Sequence, residues 1–315
     1  MSTGPFRQIV IAGGGGAVGT LFADALRAAG YPAVAIIDRH PTPATLGQAS
    51  SFLEGDVQRP AEEMQSLVRT CDLLILATPE PVAIAAARWM LPEMKHGSLA
   101  VETLSVKHRY AAVAAEVVTG AELLGVNPMF APSLGFAGRS VVAVPYRCGA
   151  LAQAFLAFVA AQGSDVVQLS ADGHDRACAA LQVATHASVL AFGMALSAGG
   201  YDFATAERIM PPPHRTLLAL LARVVAGDPE VYRDIQSANP YAARVRADML
   251  DAHRRLERIV ASDDPESFHQ LITDLRGLLA GSGTDYASLC ARLFEVDPRG
   301  KVSTLSGQTQ PAETS

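Results

Sequence analysis

The chain has 315 residues, half of them hydrophobic, so it is long enough for one large or two ordinary domains with a proper core. Its formal net charge of −6 provides no basic face for nucleic acid or an anionic membrane. The four cysteines are far apart and lack zinc-ligand spacing, so we expect neither a disulfide framework nor a metal site. With no signal-peptide pattern and no apolar run long enough to cross a bilayer, we expect a cytoplasmic protein that binds neither membranes nor nucleic acid.

The N-terminal segments predict a βαβ unit. Residues 8–12 form an apolar run typical of a strand, a glycine loop follows, and residues 17–29 have helical character. A second apolar run over residues 33–37 ends at Asp38. Further short apolar runs occur at residues 73–77, 98–101, 123–126 and 141–144. This alternation indicates an α/β fold with a Rossmann-like, doubly wound sheet.

The second half of the chain has a different character. After a last predicted strand over residues 165–169, the apolar positions follow the helical period and strand patterns almost disappear. We therefore expect a dinucleotide-binding domain over residues 1–170 and an all-helical domain over residues 171–298. Residues 299–315 are rich in small and polar side chains, which predicts a disordered tail.

The glycine loop fits the pattern G-x-G-x-x-G. Gly14 would permit the tight turn, Gly16 would let the backbone approach a pyrophosphate, and Gly19 would allow close packing of helix on strand. The phosphates would lie on the helix N-terminus, at Ala17 and Val18. The pattern alone also fits an ordinary turn, but its position between a strand and a helix favours dinucleotide binding.

Further residues are candidates for cofactor contacts. Asp38 follows the loop by about 20 residues, the spacing of an acid that accepts hydrogen bonds from the adenosine ribose. It would repel a 2′-phosphate and favour NAD over NADP, although Arg39 beside it makes this preference less certain to infer. The alternative is that Asp38 is an ordinary acidic residue in a surface turn. Thr78 and Pro79 follow a predicted strand, where such folds line the cofactor cleft.

Five segments, in order, resemble the signature segments of prephenate dehydrogenases, in particular the dehydrogenase part of the enterobacterial bifunctional enzymes. They are IVIAGGGGAVGTLF, ETLSVKH, GVNPMFAP, HDRACAALQVATH and ARVVAGDPEVYRDIQSANP. The resemblance covers about residues 7–295 and implies an NAD-dependent oxidoreductase whose helical domain forms a homodimer. It also implies the reaction: hydride leaves ring carbon C4 for the nicotinamide while carbon dioxide leaves C1 of a prephenate-like cyclohexadiene.

The resemblance implies roles for individual residues. Arg223 matches the arginine that binds the ring carboxylate, a task suited to a planar guanidinium. Ser105 matches the serine that hydrogen-bonds the C4 substituent, and Lys107 in the same motif is either structural or electrostatic. Tyr232 stands where relatives carry an aromatic residue near the substrate, with core packing as the alternative.

Histidines of the helical region complete the candidate set. His186 matches a histidine that lines the site in relatives, although a helix position alone favours a core histidine. Gln182, one turn earlier on the same face, is placed in the same pocket. His174 and Asp175 are expected to cap and orient the first helix of this region.

The sequence departs from the family pattern at Asn127. Most relatives read HPMFGP where this chain reads NPMFAP, and the histidine is the group that takes or polarises the proton of the C4 hydroxyl. Asn127 cannot act as a base near neutral pH, and loss of a positioned base costs about 10²–10⁴ in rate. An amine at C4 expels hydride more strongly than a hydroxyl, and an asparagine carbonyl can accept and orient its N–H.

The favoured substrate is therefore 4-amino-4-deoxyprephenate, which would give 4-aminophenylpyruvate for specialised biosynthesis. Prephenate or arogenate is the alternative, with Asn127 shaping the turn and Ser105 or His186 handling a hydroxyl. A non-catalytic NAD-binding homologue is a second alternative, and another Rossmann dehydrogenase with a helical dimer domain, acting on a 3-hydroxy acid or an imine, is a third.

Overall fold

The structure is a computed structural model that describes residues 4–41 and 50–295. The predicted tail over residues 299–315 lies outside the described residues. Within them, the chain forms one sheet followed by a long series of helices.

The sheet has eight strands in the order β3-β2-β1-β4-β5-β6-β7-β8. The strands are β1 Ile9–Ala12, β2 Val34–Asp38, β3 Ser51–Glu54, β4 Leu73–Leu76, β5 Leu99–Glu102, β6 Glu122–Pro128, β7 Ser140–Arg147 and β8 Asp165–Gln168. All neighbours pair in parallel except β6 and β7, which are antiparallel. The order reverses between β1 and β4, and such a switch point opens a ligand crevice at the carboxyl ends of the strands. The predicted α/β fold class is confirmed.

Helices cover both faces of this sheet. They are Ala17–Ala28, Glu62–Thr70, Glu80–Glu93, His108–Glu116 and Ala150–Ala161, with a 3₁₀ turn at Pro132–Leu134. One core layer surrounds Phe22 and Phe155, and the other surrounds Met90 and Tyr110. The central strands β1 and β4 are buried at every residue, which explains why their sequences are continuous apolar runs rather than alternating ones.

The remaining elements of the described chain are helical. They are Ala171–Cys178, a π-helical turn at Ala179–Ala184, Thr185–Ala198, Phe203–Ile209, Pro212–Val225, Pro229–Ala238, Ala242–Ala261, Pro265–Ala280 and Tyr286–Phe294. The expected all-helical character of this region is thus observed.

Two expectations about the start of this region were wrong. Ser170, not His174 or Asp175, caps the first helix, since its side chain accepts a hydrogen bond from the Gly173 amide.

The second expectation concerned apolar runs. The helical run Ala171–Ala198 is long and apolar enough, by length and composition only, to cross a membrane, whereas no such run was expected from the sequence.

The described chain divides into two compact units. One unit runs to Ala187 and includes Gly227–Asp248, and the other comprises Ser188–Ala226 and the chain from Met249. This grouping differs from the predicted domain boundary at residue 171, because the first helices of the second half pack with the sheet unit. The boundary at residue 171 therefore stays a prediction about family domains.

The second unit has almost no core of its own. Among its described residues, only Val189 and Val224 are buried hydrophobic side chains. Many large apolar side chains are exposed instead, including Met194 and Ile209 at 73% and 77%. Helices with such faces need apolar surface from elsewhere to cover them.

Candidate active site

The glycine loop follows β1 and enters the helix Ala17–Ala28, and several of its glycines have no room for a Cβ atom. A Cβ atom at Gly14 would lie 2.6 Å from Ile36 Cγ2, and one at Gly19 would collide with the carbonyl oxygen of Gly13. At Gly16 the nearest atom would be 3.4 Å away, which leaves the loop open to a ligand. Gly13 has φ +83° and a Cβ there would meet the Ala77 carbonyl oxygen, a requirement that the motif alone did not reveal. These are the features of a phosphate-binding turn.

The N-terminus of this helix carries unsatisfied amides. Gly16 occupies the N-cap position, and no side chain among the described residues caps it. The amides of the first helical turn, including those of Ala17 and Val18, are therefore available to an anion.

Asp38 ends β2 beside this loop. Its carboxylate accepts hydrogen bonds from the amide of Gly15 at 2.8 Å and from the amide of Arg39 at 2.7 Å. Each carboxylate oxygen retains a second lone pair for a ribose hydroxyl. Asp38, Arg39, Thr78 and Pro79 all line a cavity of about 360 Å³ together with the glycine loop. The arrangement fits the adenosine half of a dinucleotide.

A second cavity, of about 250 Å³, continues from Gly16 towards β5. Its lining brings together predicted cofactor and catalytic residues, namely Gly16, Ala17, Val18, Thr78, Pro79 and Ser105. The Thr78 hydroxyl is buried and has no hydrogen-bond partner among the described residues, so it is a ready contact for a ligand. The structure thus places Ser105 in the lining of the same cavity as Gly16 and Thr78.

Glu80 lines the same cavity, although only Thr78 and Pro79 of this loop were singled out from the sequence as cofactor contacts. Its side chain is 3% exposed, one carboxylate oxygen lies 2.9 Å from Arg109 Nη1, and the other has no partner among the described residues. Burial raises the pKa of Glu80, and Arg109 opposes this shift. Its place directly after Thr78-Pro79, at the first residue of a helix, was the available signal.

Asn127 lies near the end of β6 and is 3% exposed. Its Nδ2 atom is 2.9 Å from Nε2 of His174, whose Nδ1 atom is 2.8 Å from a carboxylate oxygen of Asp175. His174 and Asp175 have fully buried side chains. The structure therefore joins Asn127 to the HD pair of the HDRACAALQVATH segment, a connection that the sequence did not suggest.

Lys107 belongs to the same buried network through both its side chain and its backbone amide. Its Nζ atom contacts both oxygens of Glu102 at 2.8 and 2.9 Å and the Val126 carbonyl oxygen at 3.0 Å, and no part of its side chain is exposed. Burial lowers the pKa of Lys107 and the Glu102 carboxylate opposes this shift. The backbone amide of Lys107 donates to Asp175 at 2.8 Å.

The helical residues predicted to line the site are only partly assembled. His186 and Tyr232 are in edge-to-face contact, with ring centroids 4.9 Å apart, and Tyr232 also packs against Gly227. Gln182 lies in the π-helical turn, a feature common at functional sites. Its Oε1 atom is buried and has no partner among the described residues.

Arg223 lies in the other compact unit, near the end of the helix Pro212–Val225. It is exposed and forms no ion pair with any described residue. Its cationic head is therefore available to an anion. The described chain contains no cluster of side chains suited to a metal ion.

Comparison with known proteins agrees with this geometry. The nucleotide-binding domain of prephenate dehydrogenase matches residues 22–141, and its dimerization domain matches residues 170–274. The chain is 41% identical over 289 residues to a 4-amino-4-deoxyprephenate dehydrogenase from Streptomyces pristinaespiralis, covering 92% of this chain and 97% of the relative. It is 30% identical to the T-protein of Haemophilus influenzae, covering 72% of this chain and 55% of that relative.

Solved structures show the same fold. The prephenate dehydrogenase of A. aeolicus, in complex with hydroxyphenyl propionate and NAD+, has a TM-score of 0.69 at 15% identity and covers 87% of this chain and 96% of its own. Synechocystis arogenate dehydrogenase has a TM-score of 0.63 at 19% identity and covers 86% and 98%. With both family domains matched in order and a 41% identical relative covered almost end to end, the chain belongs to the prephenate dehydrogenase family.

Proposed function

We propose that the protein is an NAD-dependent dehydrogenase that converts 4-amino-4-deoxyprephenate into 4-aminophenylpyruvate and carbon dioxide. The observation that carries the substrate assignment is Asn127, which takes the place of the family histidine and points its amide nitrogen at His174. The 41% identical relative, which bears the name of this activity, supports the same assignment.

The cofactor is NAD, which supplies the hydride acceptor when bound. The open backbone at Gly16 and the uncapped helix start at Ala17 would hold its pyrophosphate. Asp38 would accept the ribose hydroxyls and disfavour a 2′-phosphate. The hydroxyl of Thr78, a residue that lines both cavities, has no partner among the described residues and would hydrogen-bond the nicotinamide half.

The chemistry requires a neutral amine at C4. Hydride leaves C4 with its electron pair, the nitrogen lone pair assists, and the electron pair of the C1–carboxylate bond enters the ring as carbon dioxide departs. The nitrogen keeps both of its hydrogens in the product. As positive charge develops on nitrogen, its N–H becomes a stronger donor, so a hydrogen bond to the carbonyl of Asn127 strengthens in the transition state.

The other predicted site residues take supporting roles in this proposal. Ser105, in the lining of the second cavity, hydrogen-bonds the C4 substituent. Arg223, which forms no ion pair with any described residue, binds the ring carboxylate. His186, Tyr232 and Gln182 line the substrate pocket, where Gln182 Oε1, which has no partner among the described residues, would accept a hydrogen bond.

We also propose that the protein is a cytoplasmic homodimer, formed through the helical region that matches the family's dimerization domain. The second unit supports this proposal because its described helices bury only Val189 and Val224 among their large apolar side chains. A second copy of the chain would cover the exposed remainder.

The substrate assignment is tested by steady-state kinetics of the purified protein with NAD, measured side by side on 4-amino-4-deoxyprephenate and on prephenate. We expect kcat/KM to favour the amine by about 10²-fold or more, the low end of the effect of a missing base. Equal or better turnover of prephenate would favour the alternative function, a prephenate dehydrogenase of tyrosine biosynthesis. Absence of turnover with both substrates, in protein that binds NAD, would favour the non-catalytic homologue.

A further inference from the structure

The two ends of the Asn127 amide would have opposite effects on the substrate. A carbonyl oxygen accepts an N–H from the C4 amine and leaves the nitrogen lone pair free to assist hydride departure. An amide NH₂ facing the same position would donate to that lone pair and oppose the reaction. The outcome therefore depends on what fixes the amide orientation.

The neighbour that can fix it is His174. Asn127 Nδ2 lies 2.9 Å from His174 Nε2, and the only other close polar contact of Nδ2 among the described residues is Cys178 Sγ, at 3.9 Å. No described group donates a hydrogen bond to Asn127 Oδ1. If Nε2 of His174 carries a hydrogen, it would donate to Oδ1 of Asn127. If Nε2 carries none, it would accept a hydrogen bond from Nδ2, and the amide would have the opposite orientation.

Asp175 determines which of these His174 presents. Its carboxylate accepts hydrogen bonds from the backbone amides of Lys107 and His108, each at 2.8 Å, and lies 2.8 Å from His174 Nδ1. Because the carboxylate oxygen that faces Nδ1 is a hydrogen-bond acceptor, Nδ1 carries the ring proton. In the neutral ring Nε2 is then a bare acceptor, and only Nδ2 of Asn127 can face it.

The surroundings keep the ring neutral. Burial, reinforced by the charge of Lys107, lowers the pKa of His174, while Asp175 and Glu102 oppose the shift. Cys178 is the other titratable group against the ring, with Sγ 3.4 Å from Nε2, and burial raises its thiol pKa to about 11. It therefore stays uncharged at neutral pH.

We propose that His174, oriented by Asp175, is a positioning residue that fixes the Asn127 amide with Oδ1 presented to the C4 amine. This inference rests on the proposed function for its catalytic consequence, but the hydrogen-bond orientation itself is independent of the substrate. The HD pair thereby contributes to selection between an amine and a hydroxyl without touching either.

Two substitutions of His174 separate its two contacts. In His174→Asn the amide nitrogen can replace Nδ1 and keep the bond to Asp175, but nothing reaches Asn127. In His174→Gln the side-chain oxygen can replace Nε2 and accept from Asn127. We expect His174→Asn to lower kcat with the amine by about tenfold with little change in KM, and His174→Gln to recover most of it.

A double-mutant cycle tests whether the effect passes through Asn127. In an Asn127→Ala background, His174→Asn should change kcat no further, because the amide it positions is absent. Tyr146→Phe is the control. It removes a different hydrogen bond of the same buried network, from the Tyr146 hydroxyl to Glu102 Oε1 at 2.8 Å, and should leave the ratio of amine to hydroxyl turnover unchanged. NAD binding and thermal unfolding of each variant report that the fold is intact. Additive effects of His174→Asn and Asn127→Ala would overturn the proposal.

The orientation is also measured directly in the unaltered protein. Nitrogen-15 NMR of the histidine rings distinguishes the two neutral tautomers, and His174 is assigned by its loss in His174→Gln. We expect the Nδ1–H tautomer, with an Nε2 that becomes protonated only below the ordinary histidine pKa of about 6.5. kcat with the amine should fall through the same low pH range. An Nε2–H tautomer would overturn the proposal, whereas an Nδ1–H tautomer in an enzyme that prefers prephenate would contradict only the proposed substrate.

Discussion

Removal of the Lys107 ammonium is expected to destabilise the sheet unit strongly. In Lys107→Met a side chain of similar length remains, but the Glu102 carboxylate is left with only two neutral donors, the Tyr146 hydroxyl at 2.8 Å and the Leu104 amide at 2.7 Å. In the unaltered protein the side chains of Lys107 and Glu102 are both fully buried. Breaking such a pair costs about 3–5 kcal/mol, because one charge is left uncompensated in a medium of low dielectric.

Thermal unfolding followed by circular dichroism measures this cost. At about 2–4 °C per kcal/mol for a domain of this size, the midpoint should fall by roughly 10 °C. Lys107→Met with Glu102→Gln removes both charges and should recover most of the loss. Arg69→Met provides the surface control, since Arg69 Nε lies 2.6 Å from Glu93 but its side chain is 54% exposed, and it should cost less than about 1 kcal/mol. A midpoint for Lys107→Met as close to wild type as that of Arg69→Met would show that the buried ion pair contributes no more to stability than the exposed one.

Other substitutions test the cofactor, substrate and dimer assignments. Asp38→Ala should narrow the preference for NAD over NADP in kcat/KM, and comparable wild-type values for both cofactors would exclude the proposed role of Asp38. Arg223→Ala should raise KM strongly, by a factor that corresponds to about 2–5 kcal/mol of lost binding free energy, and Arg223→Lys should recover part of this loss. A wild-type KM in Arg223→Ala would show that Arg223 does not bind the substrate. Sedimentation should show a dimer at micromolar concentration, and a monomer alone would contradict the proposed use of the helical unit. Burial raises the pKa of Cys71 to about 12, so a thiol reagent should modify it only after unfolding; rapid modification of the native protein at Cys71 would contradict its burial.

The sheet was predictable because its strands leave a strong pattern in the sequence. Strands buried on both faces, such as β1 and β4, are short apolar runs bounded by loops. β3 was not predicted, since Ser51–Glu54 lies at the sheet edge, is only partly buried and has two apolar residues. The grouping of helices into compact units was also beyond the sequence, because it depends on which helices pack together rather than on helical period.

The candidate site was predictable where a motif carries its chemistry locally. The glycines and Asp38 have fixed spacings because one turn and two neighbouring strands determine their positions. Asn127 and His174 are 47 positions apart in the sequence and meet only through tertiary packing, so no local sequence pattern predicts their contact. The misassigned cap has the same cause: His174 stands near a helix start, but it faces the sheet while Ser170 caps the helix.

Selection of the amine by Asn127 is tested most directly by Asn127→His, assayed with NAD on both substrates. The new imidazole can accept the hydroxyl proton near its own pKa, so the ratio of kcat for 4-amino-4-deoxyprephenate to kcat for prephenate should fall by about 10²-fold. The change should appear mainly in kcat, because the group acts in the transition state rather than in substrate binding. A ratio of kcat values unchanged by Asn127→His would contradict selection of the amine by Asn127 and leave this side chain with the sole role of shaping the turn before Pro128.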